Sequence, residues 1–179
     1  MQSWSVHWVL CPMNKLIELD LEFDFSTANG AFKFDSDELH GTSTAKRVDF
    51  VAEYDDCYRF IEVKDPDIPS AFNPEAFIRK LQSENLVDSL AGKFRDTLFF
   101  RAQCADHDNS KKIEYIILLS CEAIEPAMMM AKQDILHRKI PIQHTLWTKN
   151  SAVKCVLMNL GRYKRVFGEA SVRRISESD

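Results

Sequence analysis

Residues 47–66 read RVDFVAEYDDCYRFIEVKDP. Two apolar runs, VDFVAEY and CYRFIEV, meet at the polar pair Asp55-Asp56, the pattern of a β-hairpin. Side chains alternate along a strand, so Asp49, Val51 and Glu53 share one face, opposite Phe50, Ala52 and Tyr54. On the return strand Tyr58, Phe60, Glu62 and Lys64 share a face, opposite Arg59, Ile61 and Val63. Large apolar groups on both faces predict a hairpin sandwiched between layers. With Asp55-Asp56 as the loop, paired positions sum to 111: Tyr54 faces Cys57, Val51 faces Phe60, and Asp49 falls opposite Glu62. A four-residue loop keeps that register, and an odd-length loop breaks it.

Directly opposed residues have Cβ atoms roughly 5 Å apart, and like charges so placed repel. The two carboxylates must share a proton, find a cation or bind a metal. Lys64, one step further along the same face, offsets part of the repulsion and cannot neutralise both. Two convergent carboxylates suit a hard divalent cation such as Mg²⁺, which keeps several waters and bridges to substrate phosphate. The plain alternative is an exposed ion pair of Glu62 and Lys64 at a fraying strand end, worth little energetically.

Upstream, LIELDLEFDF (16–25) alternates strictly, with Ile17, Leu19, Leu21, Phe23 and Phe25 on one face and Glu18, Asp20, Glu22 and Asp24 on the other. That predicts a half-buried strand whose acids are its wet face. The Asn-Gly of STANG then predicts a turn and AFKF its return, an N-terminal hairpin over 16–34. Downstream, Asn73 as N-cap and Pro74 at the first helical position open one long helix over about 74–102, with Ile78, Leu81, Leu90, Phe94 and Leu98 at helical spacing. IEYIILLS is a buried strand, CEAIEPAMMMAKQDILHRK a helix, VKCVLMNL a strand, and GRYKRVFG a turn with a return strand. The fold class is α/β or α+β: a mixed central sheet flanked by helices, in a single domain over 1–179 with its C-terminal helix and strands at 122–168.

The composition fits a soluble globular chain, with 45% hydrophobic and 28% charged residues. The opening MQSWSVHWVL has neither the basic start of a signal peptide nor the length of a membrane span. Five scattered cysteines without a CxxC pair argue against a zinc site and for buried free thiols at Cys57, Cys121 and Cys155 in a reducing cytoplasm. Residues 1–75 hold 15 acids against 6 Lys/Arg, whereas 149–174 hold 7 Lys/Arg against Glu169 alone. That asymmetry is compatible with a metal site beside a phosphate-contacting surface, or with charge segregation of no consequence. The chain shows no Gly-rich phosphate loop, no HExxH and no Ser-His-Asp order.

Asp49, followed after a hairpin by Glu62-Val63-Lys64, resembles the PD-(D/E)xK nuclease superfamily, which includes type II restriction enzymes and Holliday junction resolvases. The resemblance covers about 48–119: hairpin, acid-x-Lys ending its second strand, helix, hydrophobic strand. It implies a restriction-endonuclease-like core and a Mg²⁺- or Mn²⁺-dependent nuclease. Asp49 and Glu62 would be metal ligands, the Val63 carbonyl a further one, and Lys64 the residue that orients the attacking water. The family's further acid upstream would fall among Asp35, Asp37 and Glu38, with Glu38 as the choice, and its helix glutamine would be Gln82. Val48 stands where the family often has proline. The implied substrate is nucleic acid, DNA before RNA, with Arg162, Lys164 and Arg165 as backbone contacts and a homodimer or larger complex as the working form. A second reading is a catalytically inactive nuclease-like module that serves binding or assembly.

Overall fold

Two sheets share the core of the computed structural model, which describes residues 14–69 and 74–177. The smaller is antiparallel, in the order β1 (Lys15–Glu18), β2 (Leu21–Asp24), β8 (Val172–Arg174). The larger runs β3 (Gly30–Lys33), β4 (Phe50–Glu53), β5 (Cys57–Lys64), β6 (Lys112–Leu119), β7 (Lys154–Met158). Its first three strands are antiparallel, and β5, β6 and β7 are parallel. Parallel neighbours need a crossover: α2 (Pro74–Gln82) and α3 (Asn85–Ala102) carry the chain from β5 to β6, and α4 (Pro126–Lys139) from β6 to β7. A one-turn helix α1 (Asp37–His40) follows β3, and α5 (Leu160–Phe167) follows β7.

The hairpin β4–β5 has the register its sequence requires, with Phe50 opposite Ile61, Val51 opposite Phe60 and Ala52 opposite Arg59. The Tyr54 N–H donates to the Cys57 carbonyl at 2.8 Å, closing the two-residue loop. Both faces are covered. Val51, Tyr58 and Phe60 pack with Leu90, Phe94 and Leu136 of α3 and α4, while Phe50, Ile61 and Val63 pack with Phe23, Tyr163 and Val172. The chain is therefore a mixed α+β fold with helices and a second sheet against the central one. Cys57, Cys121 and Cys155 are buried free thiols. Among the described residues no helix is long and apolar enough to cross a membrane.

Three elements depart from the sequence pattern. The run 16–25 is two strands, because Leu19 takes φ 55° and the chain reverses at Leu19-Asp20. A left-handed residue with a Cβ is unfavourable by roughly 1–2 kcal/mol, and the far end of the chain holds it there. β8 pairs with β2, the Ile175 N–H donates to the Asp20 carbonyl at 2.9 Å, and Arg174 and Ser176 donate to the Asp20 carboxylate. The turn shifts the alternation: Ile17 and Leu19 are each 51% exposed, while Leu16 and Glu18 share the other face of β1. The expected hairpin over 16–34 is thus replaced by β1–β2, and β3 pairs with β4 instead.

The long helix divides at Ser83-Glu84. The Ser83 hydroxyl donates to the Lys80 carbonyl at 2.8 Å, and the buried Lys132 of α4 donates to the Gln82 carbonyl at 2.8 Å, which satisfies the broken end. Asn73 lies outside the described residues. GRYKRVF forms helix rather than strand. The Asn159 side chain accepts from the Arg162 N–H at 2.9 Å as N-cap, Gly168 ends the helix at φ 106°, and Tyr163 is buried against Phe23.

Candidate functional site

The register that opposes Asp49 and Glu62 brings their side chains to one point where β4 begins and β5 ends. Glu62 is 0% exposed and Asp49 3%. The Asp49 backbone N–H donates to the Ile61 carbonyl at 3.0 Å, and its Oδ2 accepts from the Val63 N–H at 2.6 Å, so the strand pair itself fixes the carboxylate. Lys64 donates to Glu62 Oε1 and to the Val63 carbonyl, the latter at 3.0 Å.

The second cation comes from α3. Lys93 Nζ lies 3.3 Å from Asp49 Oδ1, 2.8 Å from Glu62 Oε2 and 2.7 Å from Glu62 Oε1. Two bonds hold α3 in place for this. The Val48 N–H donates to Thr97 Oγ1 at 3.1 Å and the Lys46 N–H to Asp96 Oδ2 at 2.8 Å. A Cβ at Gly92 would stand 2.9 Å from the Lys46 side chain, whose flexible end can move aside. Lys93 escaped sequence reading because a lysine inside an amphipathic helix reads as surface. Its one signal was position: beside Gly92 and immediately before the core residue Phe94.

Two further acids close on Asp49. One carboxylate oxygen from each of Glu18, Asp35 and Asp49 lies within 4.8 Å of the others. Asp35 was among the upstream candidates, and Glu18 was read as wet face until the Leu19 turn directed it inward. Lys33 Nζ pairs with Glu18 Oε2 at 2.8 Å. Asp35 Oδ1 is buried and has no hydrogen-bond partner among the described residues. Glu38, the expected additional acid, is exposed on α1 and is not among the acids that close on Asp49. Gln82 is also exposed, at the end of α2. Arg162, Lys164 and Arg165 sit on α5, which packs through Tyr163 on the opposite face of the sheet from α3, and Lys164 pairs with Glu169 at 3.1 Å.

Electrostatics follow from burial. Loss of hydration pushes the Glu62 carboxyl up to about 7, the Asp49 charge adds to this, and Lys64 and Lys93 resist it. Asp35 is raised by burial and then by Asp49 and Glu18. For Lys93, burial favours the neutral amine, but Glu62 and Asp49 outweigh it and raise the ammonium's pKa. The site therefore holds a charged lysine, a carboxyl that titrates near neutrality, and an acid oxygen without a donor. Compared with protein-family models, with curated proteins and with solved structures, the chain gave no significant match in any of the three.

Proposed function

We propose that the chain is a divalent-cation-dependent nuclease that hydrolyses phosphodiester bonds of nucleic acid, DNA before RNA, at Asp49, Glu62 and Lys64. One observation carries this reading: the Asp49 and Glu62 carboxylates converge on a single cation position, with Lys64 beside it on the same strand face. The order of hairpin, helical crossover and parallel hydrophobic strand β6 supports a restriction-endonuclease-like core.

The residues fit Mg²⁺ or Mn²⁺. The donor set is all oxygen, as hard cations prefer, and Asp35 Oδ1 is a buried ligand atom without a donor. Asp49 and Glu62 would hold the ion with the Val63 carbonyl adjacent, and Asp35 and Glu18 stand beside Asp49 as further carboxylates. When bound, such an ion polarises the phosphoryl oxygen and neutralises developing charge. Glu62 holds the Lys64 ammonium in place, and that ammonium donates to the attacking water and orients it. Burial of Glu62 and Asp49 keeps bulk water from screening these charges.

A second reading is an inactive nuclease-like module. It is favoured by the two lysines that already neutralise the Asp49–Glu62 pair. Thermal unfolding with millimolar Mn²⁺, paired with cleavage of plasmid and branched DNA, separates the two. A nuclease gains midpoint with Mn²⁺, by about 2.7 kcal/mol of stability at a hundredfold excess over Kd, and Asp49→Asn abolishes both gain and cleavage. A module shows neither in the wild type.

A further inference from the structure

Among the described residues Lys93 is the one side chain that spans both acids, touching Asp49 Oδ1 and both oxygens of Glu62. Lys64 does not substitute for it: its ammonium is shared between Glu62 and the Val63 carbonyl of its own strand. Those three carboxylate oxygens around one ammonium are also the shell a hard cation would use. We propose that Lys93 is a tethered cation that holds this position and thereby sets the site's affinity for divalent metal. The proposal rests on the metal-centre reading above.

The physical grounds are charge and reach. An ammonium and a divalent ion cannot share one shell of three oxygens, because like charges a few ångströms apart repel strongly where water is excluded. Lys93 has somewhere to go. Its side chain remains 20% exposed while Glu62 has no exposure, so a turn about its flexible stem carries the ammonium to solvent without unpacking α3. The strand ladder holds the acids, by contrast, so metal entry costs the movement of Lys93 and not of Asp49 or Glu62. Removing the ammonium leaves both carboxylates fixed and buried, Glu62 with Lys64 alone and Asp49 without a cation, and a metal then replaces what is missing.

The test uses the full chain and Mn²⁺ alone. Thermal midpoints are followed across a Mn²⁺ titration for wild type, Lys93→Met and Lys93→Arg. Lys93→Met is expected to lower the metal-free midpoint, to reach half-saturation at a Mn²⁺ concentration at least about tenfold lower, and to be restored by the metal. Lys93→Arg keeps the charge on a group that leaves less readily, and its half-saturation is expected at a Mn²⁺ concentration no lower than that of wild type. Equal half-saturation in wild type and Lys93→Met overturns the role of Lys93 while leaving the metal centre standing. Absence of any Mn²⁺ shift in all three overturns both. Acetylation of lysines in wild type, mapped by mass spectrometry, gives a readout that no variant's folding affects. Mn²⁺ is expected to speed modification of Lys93 at least about threefold, the mark of displacement from buried partners. An unchanged or slower rate at a Mn²⁺ concentration that shifts the midpoint overturns the proposal.

Discussion

Two buried ionic clusters flank the end of β5, one residue apart in sequence, and they are built to opposite rules. Asp65, next after Lys64, accepts from Arg174 through both carboxylate oxygens at 2.9 and 2.8 Å, and the same guanidinium reaches Asp20 Oδ2 at 3.1 Å and Ser120 Oγ at 2.8 Å. Asp20 is completed by the Ser176 hydroxyl and N–H at 2.6 and 3.1 Å. Here acids and donors match in planar, two-pronged geometry, the arrangement that makes a buried arginine pair a clamp. Around Asp49 the acids are Glu18, Asp35 and Glu62, the cations are lysines, and one Asp35 oxygen has no donor among the described residues. A lysine is a point charge on a flexible stem and leaves readily, where a bidentate arginine does not. The first cluster has its donors matched to its acceptors, and the second is the one on which the proposed function rests.

Breaking the clamp should have the largest effect. Arg174→Met leaves Asp65 buried without its cation, and the expected loss is about 3–5 kcal/mol by urea denaturation. Mn²⁺ should not restore that loss, whereas it should restore Lys93→Met; equal rescue of both would erase the distinction between the clusters. The next effect is pH-dependent. Glu62 has a folded-state pKa of about 7 against an ordinary 4.5, so the folded protein binds the proton more tightly than the unfolded chain. Stability should therefore fall as pH rises from about 4.5 to about 7, by on the order of 3 kcal/mol, and level off above. Glu62→Gln should flatten that slope in denaturation curves collected across the window, and an unchanged slope would place the titration elsewhere. The smallest effect sharpens the comparison from outside both clusters. Arg162→Gln with Arg165→Gln, exposed on α5, should change stability by less than about 0.5 kcal/mol. If that face touches nucleic acid, the pair should weaken duplex binding and reduce its salt dependence; unchanged binding removes α5 from the interface.

The sequence was most legible where local rules compound. A period of two along 48–64 and an even loop at Asp55-Asp56 leave one register, and that register alone opposes Asp49 to Glu62. The crossover helices and the buried β6 follow from helical spacing after Pro74 and an unbroken apolar run, so the mixed sheet was readable too. Legibility failed wherever a distant partner overruled a local pattern. Leu16–Phe25 alternates as one strand, yet β8, some 150 residues on, turns it at Leu19. The periodicity of 74–102 runs through Ser83, yet Lys132 of another helix satisfies the break.

What the sequence by itself determined is the pair at the heart of the site: Asp49 and Glu62 on opposed strand positions, with Lys64 on the same face. Only the tertiary structure decided their company. Glu18 turned inward because a C-terminal strand holds a left-handed residue in place, Asp35 closed in where β3 ends, and Lys93 arrived because Thr97 and Asp96 lock α3 against the start of β4. Strand alternation and even loop length are properties of neighbours in the chain and can be read from it. Which ammonium meets a buried carboxylate depends on how layers pack, and packing is settled by contacts between segments that no local period connects.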